Sequence, residues 1–322
     1  LGWVHPELPF KDRVIEVEQD LDSLATSIPA MKVAALGHLE FARRLLGATA
    51  SKRSLGPYDL LTDVRDEEML DDLHAVAEHL DTYYRERYSL ELGDTGQQTV
   101  ALFAAEDTYR KFERQTTEHQ RQDRQGHAIG NVAGLFVGDR RGVEFRPLLV
   151  HELTHLINRR AFGSRPPAWI EEGIANDVAY CKVDRNGRPR AETLAGESTV
   201  FGSRMDRQVA FSGGLSSLTQ LLRWRARRQG TPLDRLIDLS HDAFMAPDDR
   251  QQYYIESAFL IRLLLDGPKD EWRVGFRSYL VELADGERAG SDRLIELLGT
   301  TWTQVELTFD SWLKIQSVKL LP

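Results

Sequence analysis

The chain has 322 residues, with 41 Lys plus Arg against 50 Asp plus Glu, a formal charge of −9. Its 41% hydrophobic and 28% charged residues are those of a globular protein long enough for two lobes, which excludes gross disorder, collagen-like repeats and coiled coil. The acidic balance argues against a nucleic-acid partner, no apolar run approaches the ~18 residues of a membrane span, and the lone Cys181 excludes an internal disulfide or a multi-cysteine metal site. The chain starts at Leu1 rather than at a methionine, which points to a removed leader or lipid anchor and leaves the compartment open.

Residues 20–46 read as helical, interrupted or kinked at Pro29, and residues 51–57 as a linker rich in Ser, Lys, Arg, Gly and Pro. Residues 58–62 form a short strand. Across 66–88 the apolar positions Met69, Leu73, Val76, Leu80 and Tyr84 recur every three or four residues, one face of a helix. A second strand is expected at 99–103, a short helix at 107–115, a solvated loop or frayed helix end at 113–125, and a third strand at 131–137. A strong helix over 145–161 closes at Gly163 and Pro166-Pro167, and another follows over 169–180 with Pro167 near its first turn.

After the Asn186-Gly187 turn the pattern is helical almost to the end. Ser217 with Gln220 and Thr301 with Gln304 have capping-box spacing, and Gly230, Gly267 and Gly299 stand where helix C-caps belong. The chain thus divides into an N-terminal helical segment and linker (1–57), a strand-containing subdomain (58–190) and a helical C-terminal subdomain (191–322).

The chemistry concentrates in His151-Glu152-Leu153-Thr154-His155. On a helix the two imidazoles share one face and reach one ion, with Glu152 projecting beside them. A catalytic zinc wants three protein ligands and a water, so a third ligand is required. Seventeen residues after His155 a second helix carries the paired carboxylates Glu171 and Glu172, and its antiparallel return would bring one of them to the metal. Spacing alone does not choose between the two.

HELTH followed by PAWIEEGIA resembles the gluzincin zinc metallopeptidases, most closely their peptidase-MA-like branch, whose pattern is HExxH and then a Trp-x-x-Glu-Gly helix. The resemblance implies an α+β, zincin-like fold: a small mixed sheet and an active-site helix, followed by a mostly helical C-terminal lobe. It implies one Zn2+ per chain held by His151, His155 and Glu172, with Glu152 as general base. The strand at 130–137 stands where gluzincins place the edge strand that pairs with substrate backbone. Tyr254-Ile255-Glu256-Ser257-Ala258 resembles the family's Tyr-x-x-Ser-Ala segment and implies Tyr254 as oxyanion donor, with Tyr253 adjacent. At the position where relatives often carry an acidic residue that orients a ligand histidine, this chain has Asn176, with Asp177 beside it.

The function implied is a zinc metallopeptidase acting on a peptide or protein substrate. The stretch 128–132 lacks the acidic residue with which zinc aminopeptidases capture a substrate amine, which favours an endopeptidase. The rival readings are an inactive zincin-fold binding protein and a zinc hydrolase of a non-peptide amide. Elsewhere, His74 and His79 diverge on one helix and read as solvent-facing or packed. His127 and His241 are lone histidines, residues 223–228 are cations at a helix C-terminus, and Cys181 is structural.

Overall fold

In the computed structural model the described residues are 29–117, 125–138, 142–184, 186–194, 215–246, 248–287 and 290–319. Residues 20–28 of the first expected helix, 118–124 of the expected loop and the start of the C-terminal subdomain lie outside them. The described chain is a mixed α+β fold, and none of its helices is long and apolar enough to cross a membrane.

The first described helix, α1 (Pro29–Leu46), breaks at Gly37, whose φ of 71° no helix accepts, and the expected interruption at Pro29 falls at the border of the described residues. The expected linker is a strand. β1 (Ser51–Leu55) turns at Gly56-Pro57 and pairs antiparallel with β2 (Tyr58–Thr62), Leu55 opposite Tyr58. It is polar because it is an edge strand, and charged side chains guard an edge against further pairing. The sheet therefore begins before residue 58.

Helix α2 (Glu67–Tyr88) buries all five residues of the predicted stripe and is capped by Asp66, which accepts from Met69 N–H. It carries the chain over to β3 (Thr99–Phe103), parallel to β2. Helix α3 (Glu106–Thr116) follows; its last turn buries Glu113 and Thr116 rather than fraying. Then comes a hairpin of β4 (Gly126–Ile129) and β5 (Val132–Phe136). The strand order is β1-β2-β3-β5-β4, with β3 and β5 parallel.

Both faces of this sheet are covered, and the strands alternate accordingly. Val100, Leu102, Ala133 and Leu135 join the large core under α2, while Ala101, Phe103 and Val132 join a smaller one with Phe41, Tyr109 and Phe112. The third expected strand is thus internal, not an edge. Its small residue Gly134 answers to Phe112, whose ring atoms would lie 2.3 Å from any Cβ there. The edge opposite β1 belongs to β4, which the periodicity did not announce.

Helix α4 (Gly142–Phe162) starts three residues earlier than its pattern suggests, with Pro147 inside it. Residues 163–167 reverse the chain into α5 (Ala168–Ala179), every residue of which is buried. A short hairpin of β6 (Cys181–Val183) and β7 (Pro189–Leu194) brackets the Asn186-Gly187 turn.

The remaining described elements are helical: α6 (Leu215–Ala226), α7 (Leu233–Ile237), α8 (His241–Phe244), α9 (Arg250–Asp266), α10 (Asp270–Ala284), α11 (Ser291–Leu298) and α12 (Trp302–Lys319). Ser217 lies inside α6 and is buried, so it is no cap, whereas Thr301 does accept from Gln304 N–H. Gly299 closes α11 at φ 61°, while after α6 the left-handed position falls to Arg228 rather than Gly230. Of the cations at the end of α6, Arg225 bridges Glu306 and Asp310 of α12 and lies over the Phe309 ring.

Two buried acids tie the helices together. Asp177, fully enclosed, receives Arg87 Nε at 2.6 Å and Tyr88 OH at 2.6 Å, and pairs with Arg262 Nε at 2.8 Å. Burial opposes its charge, but the two guanidiniums overcome that and hold its carboxyl below the usual range. Glu256 accepts from Thr231 N–H at 2.9 Å and from Gln252 at 3.2 Å. Burial pushes its carboxyl up to about 7.

Removing one partner from a buried ion pair strands the other, so Asp177→Ala should lose about 3–5 kcal/mol in urea unfolding. The stability tied to a raised carboxyl is present at acid pH and lost as pH climbs through its folded-state value. Wild type should therefore weaken by roughly 3 kcal/mol between pH 4.5 and 7.5 on account of Glu256. Glu256→Gln keeps the acceptor for Thr231 N–H and should flatten that loss when unfolding is measured across the range.

Candidate metal centre

The helix α4 divides by face. Leu149, Leu153, Leu156 and Ile157 enter the core under the sheet, which leaves His151, Glu152 and His155 to face α5 and β4. Asn158 sets the register between α4 and α5. Its amide accepts from Tyr84 OH at 2.7 Å and donates to Glu171 O at 3.1 Å. Trp169 anchors the start of α5, its ring about 6 Å from those of Phe276 and Tyr279. Gly173 lets α9 approach, since a Cβ there would meet Ile261 at 2.7 Å and Ser257 at 3.0 Å.

These constraints bring three of the expected residues together. His151, His155 and Glu172 each present a ligand atom within 4.8 Å of the others, and all three are buried. The two Nε2 atoms are 3.1 Å apart, and Glu172 Oε2 lies 3.5 Å from His151 Nε2 and 3.7 Å from His155 Nε2. A tetrahedral ion with bonds of about 2.0–2.2 Å separates its ligands by about 3.3–3.6 Å. The group could hold a metal ion.

The electrostatics agree with that fit. Burial lowers the pKa of His155 to about 3, so its ring is neutral, the form that binds metals. Burial works against charge on His151 too, but Glu172, Glu152 and Asn176 outweigh it and raise its pKa. The charge of Glu171 is disfavoured by burial and by Glu172, which raises its pKa. Two imidazole nitrogens and a carboxylate oxygen suit several divalent transition metals.

Around the triad the structure assigns places that the sequence pattern did not. Glu171 is not a member of the triad; it faces His155 Nδ1 at 3.7 Å and receives Arg165 Nε at 2.5 Å. Asn176 interacts with His151, while its neighbour Asp177 turns to Arg87 and Arg262, away from any ligand histidine. Glu152 is buried against β4, where a Cβ on residue 126 would meet its Oε1 at 2.9 Å.

Tyr254 lies on α9 with its ring stacked on Phe244 and its hydroxyl donating to Met245 Sδ at 3.5 Å. Tyr253 donates to Asp249. His127 packs between Tyr109 OH and Thr116 Oγ1, a satisfied core histidine, and His74 Nδ1 accepts from Gly56 N–H at the β1–β2 turn. Cys181 is buried against Tyr83 OH.

Sequence reasoning missed Gly126, Asn158 and the orientation of Glu171. Gly126 and Asn158 belong to no motif and act through elements distant in sequence, while Glu171, inside the glutamate-bearing segment, takes its orientation from Arg165. Compared with protein-family models and with curated proteins, the sequence matches none.

Loss of one of three ligand atoms leaves too few protein ligands to hold an ion, so His155→Ala should abolish binding of a divalent metal measured in competition with a chelator.

Proposed function

We propose that this protein is a zinc-dependent peptidase of zincin-like fold. One observation carries the reading: three ligand atoms converge within 4.8 Å while Glu152 lies directly against the free edge of the sheet. A merely structural metal has no use for a carboxylate held beside it and left out of the ligand set.

His151, His155 and Glu172 would hold one zinc ion per chain. Bound there, the ion would polarise a substrate carbonyl and lower the pKa of water toward ~7. Glu152 accepts a proton from the attacking water and returns it to the leaving amine. The hydroxyl of Tyr254, released from Met245, donates to the oxyanion.

The substrate would lie along the free edge of β4. Phe136 N–H donates to Gln125 O, and Ile129 pairs with Val132 at the hairpin turn. In an antiparallel ladder the residues between bonded pairs turn their own N–H and C=O outward. Those residues are Gly126 and Ala128, and among the described residues no strand lies beyond them. A peptide adding to this edge would pass Glu152. An edge that accepts a strand in mid-chain favours internal cleavage.

The test is metal content and turnover together. Zinc-loaded wild type should cleave members of a fluorescence-quenched peptide library, and Glu152→Gln should keep its zinc while losing at least about a hundredfold in kcat/KM. Equal cleavage by the Gln variant would refute the role of Glu152. A zinc-loaded protein with no cleavage would instead be a binding module, and iron in place of zinc would change the reaction class.

A further inference from the structure

The metal face of α4 carries a third residue in line with the two histidines. Arg159 follows His155 by the same four-residue step that separates His155 from His151, so all three share one column of the helix. Its Nη2 donates to Ala128 O at 3.1 Å. That carbonyl belongs to the outward-facing set on the edge of β4, two residues along from Gly126 and its contact with Glu152. Arg159 therefore stands at one end of the stretch of edge that a bound peptide would use.

Its guanidinium is incompletely matched. Nη1 is buried with no hydrogen-bond acceptor, and no carboxylate among the described residues comes within 4.0 Å of it. A buried donor of this kind calls for an explanation, commonly a missing ligand. The local charge points the same way. Three carboxylates, Glu152, Glu171 and Glu172, stand with two guanidiniums, Arg159 and Arg165. A divalent cation turns that net negative charge into a single positive one. One added anion balances it.

We infer that Arg159 is the specificity residue of this cleft and takes a carboxylate of the peptide lying along β4, from an acidic side chain or from the C-terminal carboxyl group. The inference rests on the peptidase reading given above. One arm of the guanidinium fork holds the end of the edge strand, and the other, Nη1, meets the incoming carboxylate. There a charge-assisted hydrogen bond is worth about tenfold or more in affinity.

The experiment is calorimetric binding of phosphinic pseudotetrapeptides, mimics of the hydrolytic transition state, to zinc-loaded protein. One series exchanges Glu for Gln at each position, and a second compares a free with an amidated C-terminus. Wild type should prefer one Glu probe, or the free acid, by about tenfold or more, and which series responds identifies the source of the carboxylate. Arg159→Met should erase the preference and Arg159→Lys keep part of it, with the zinc affinity of both variants within about twofold of wild type. Equal binding of every matched pair by wild type would overturn the assignment while leaving the metal reading intact. Failure of all the probes to bind zinc-loaded protein would overturn the peptidase reading, and this inference with it.

Discussion

The arrangement depends on how one buried carboxylate is neutralised. Asp177 sits at the end of a helix with no solvent on any side, and its charge persists there because Arg87 from α2 and Arg262 from α9 close on it. Arg87 also reaches Asp266 at the end of α9, so the cluster locks three helices at one point. Isolated charges in such a place are far too costly to keep, and the partners must stay in register for any of them to remain ionised. That requirement fixes the rotation of α5. Once fixed, the same helix points Glu172 and Asn176 toward α4.

The polar side chains of α5, a helix buried on all sides, are divided among several neighbours. Glu171 turns to Arg165 and His155, Glu172 to His151 and His155, Asn176 to His151, and Asp177 to the guanidiniums. The apolar residues between them do the packing, with Trp169 against α10 and Gly173 against α9. The helix is a wall and a ligand carrier at once, which is why its hydrophobic side is hard to define. Its companion α4 separates the two duties by face.

The sheet contributes through its order rather than its strength. Because β4 returns alongside β5 instead of extending the parallel run, the strand nearest α4 is left with one free edge, and the polar groups of Gly126 and Ala128 point along it. A Cβ at residue 126 would point at α4, so a bulky residue there would displace Glu152. The edge, the carboxylate and the histidine column thus lie along one line of the molecule, with Arg159 at its far end.

Much of this was legible without coordinates. The 3.6-residue stripe of α2, the strands at 58–62 and 99–103, the His-Glu-x-x-His face of α4 and the glutamate-bearing helix after it are local patterns, set by side-chain periodicity and backbone geometry within one element. The pairing of residues 51–55 with 58–62, the hairpin at 126–136 and the internal place of β5 were not, because an edge strand need not be apolar and a glycine reads alike in a turn, under a ring or beside a carboxylate. The choice between Glu171 and Glu172 likewise lay beyond spacing. It turns on the rotation of α5, which Asp177 sets through residues some 90 positions away. Residue type and helical period were enough to say which side chains could bind a metal and that two of them share a face. Which carboxylate joins them was settled by packing, because it depends on one buried charge of α5 being neutralised by residues of two other helices.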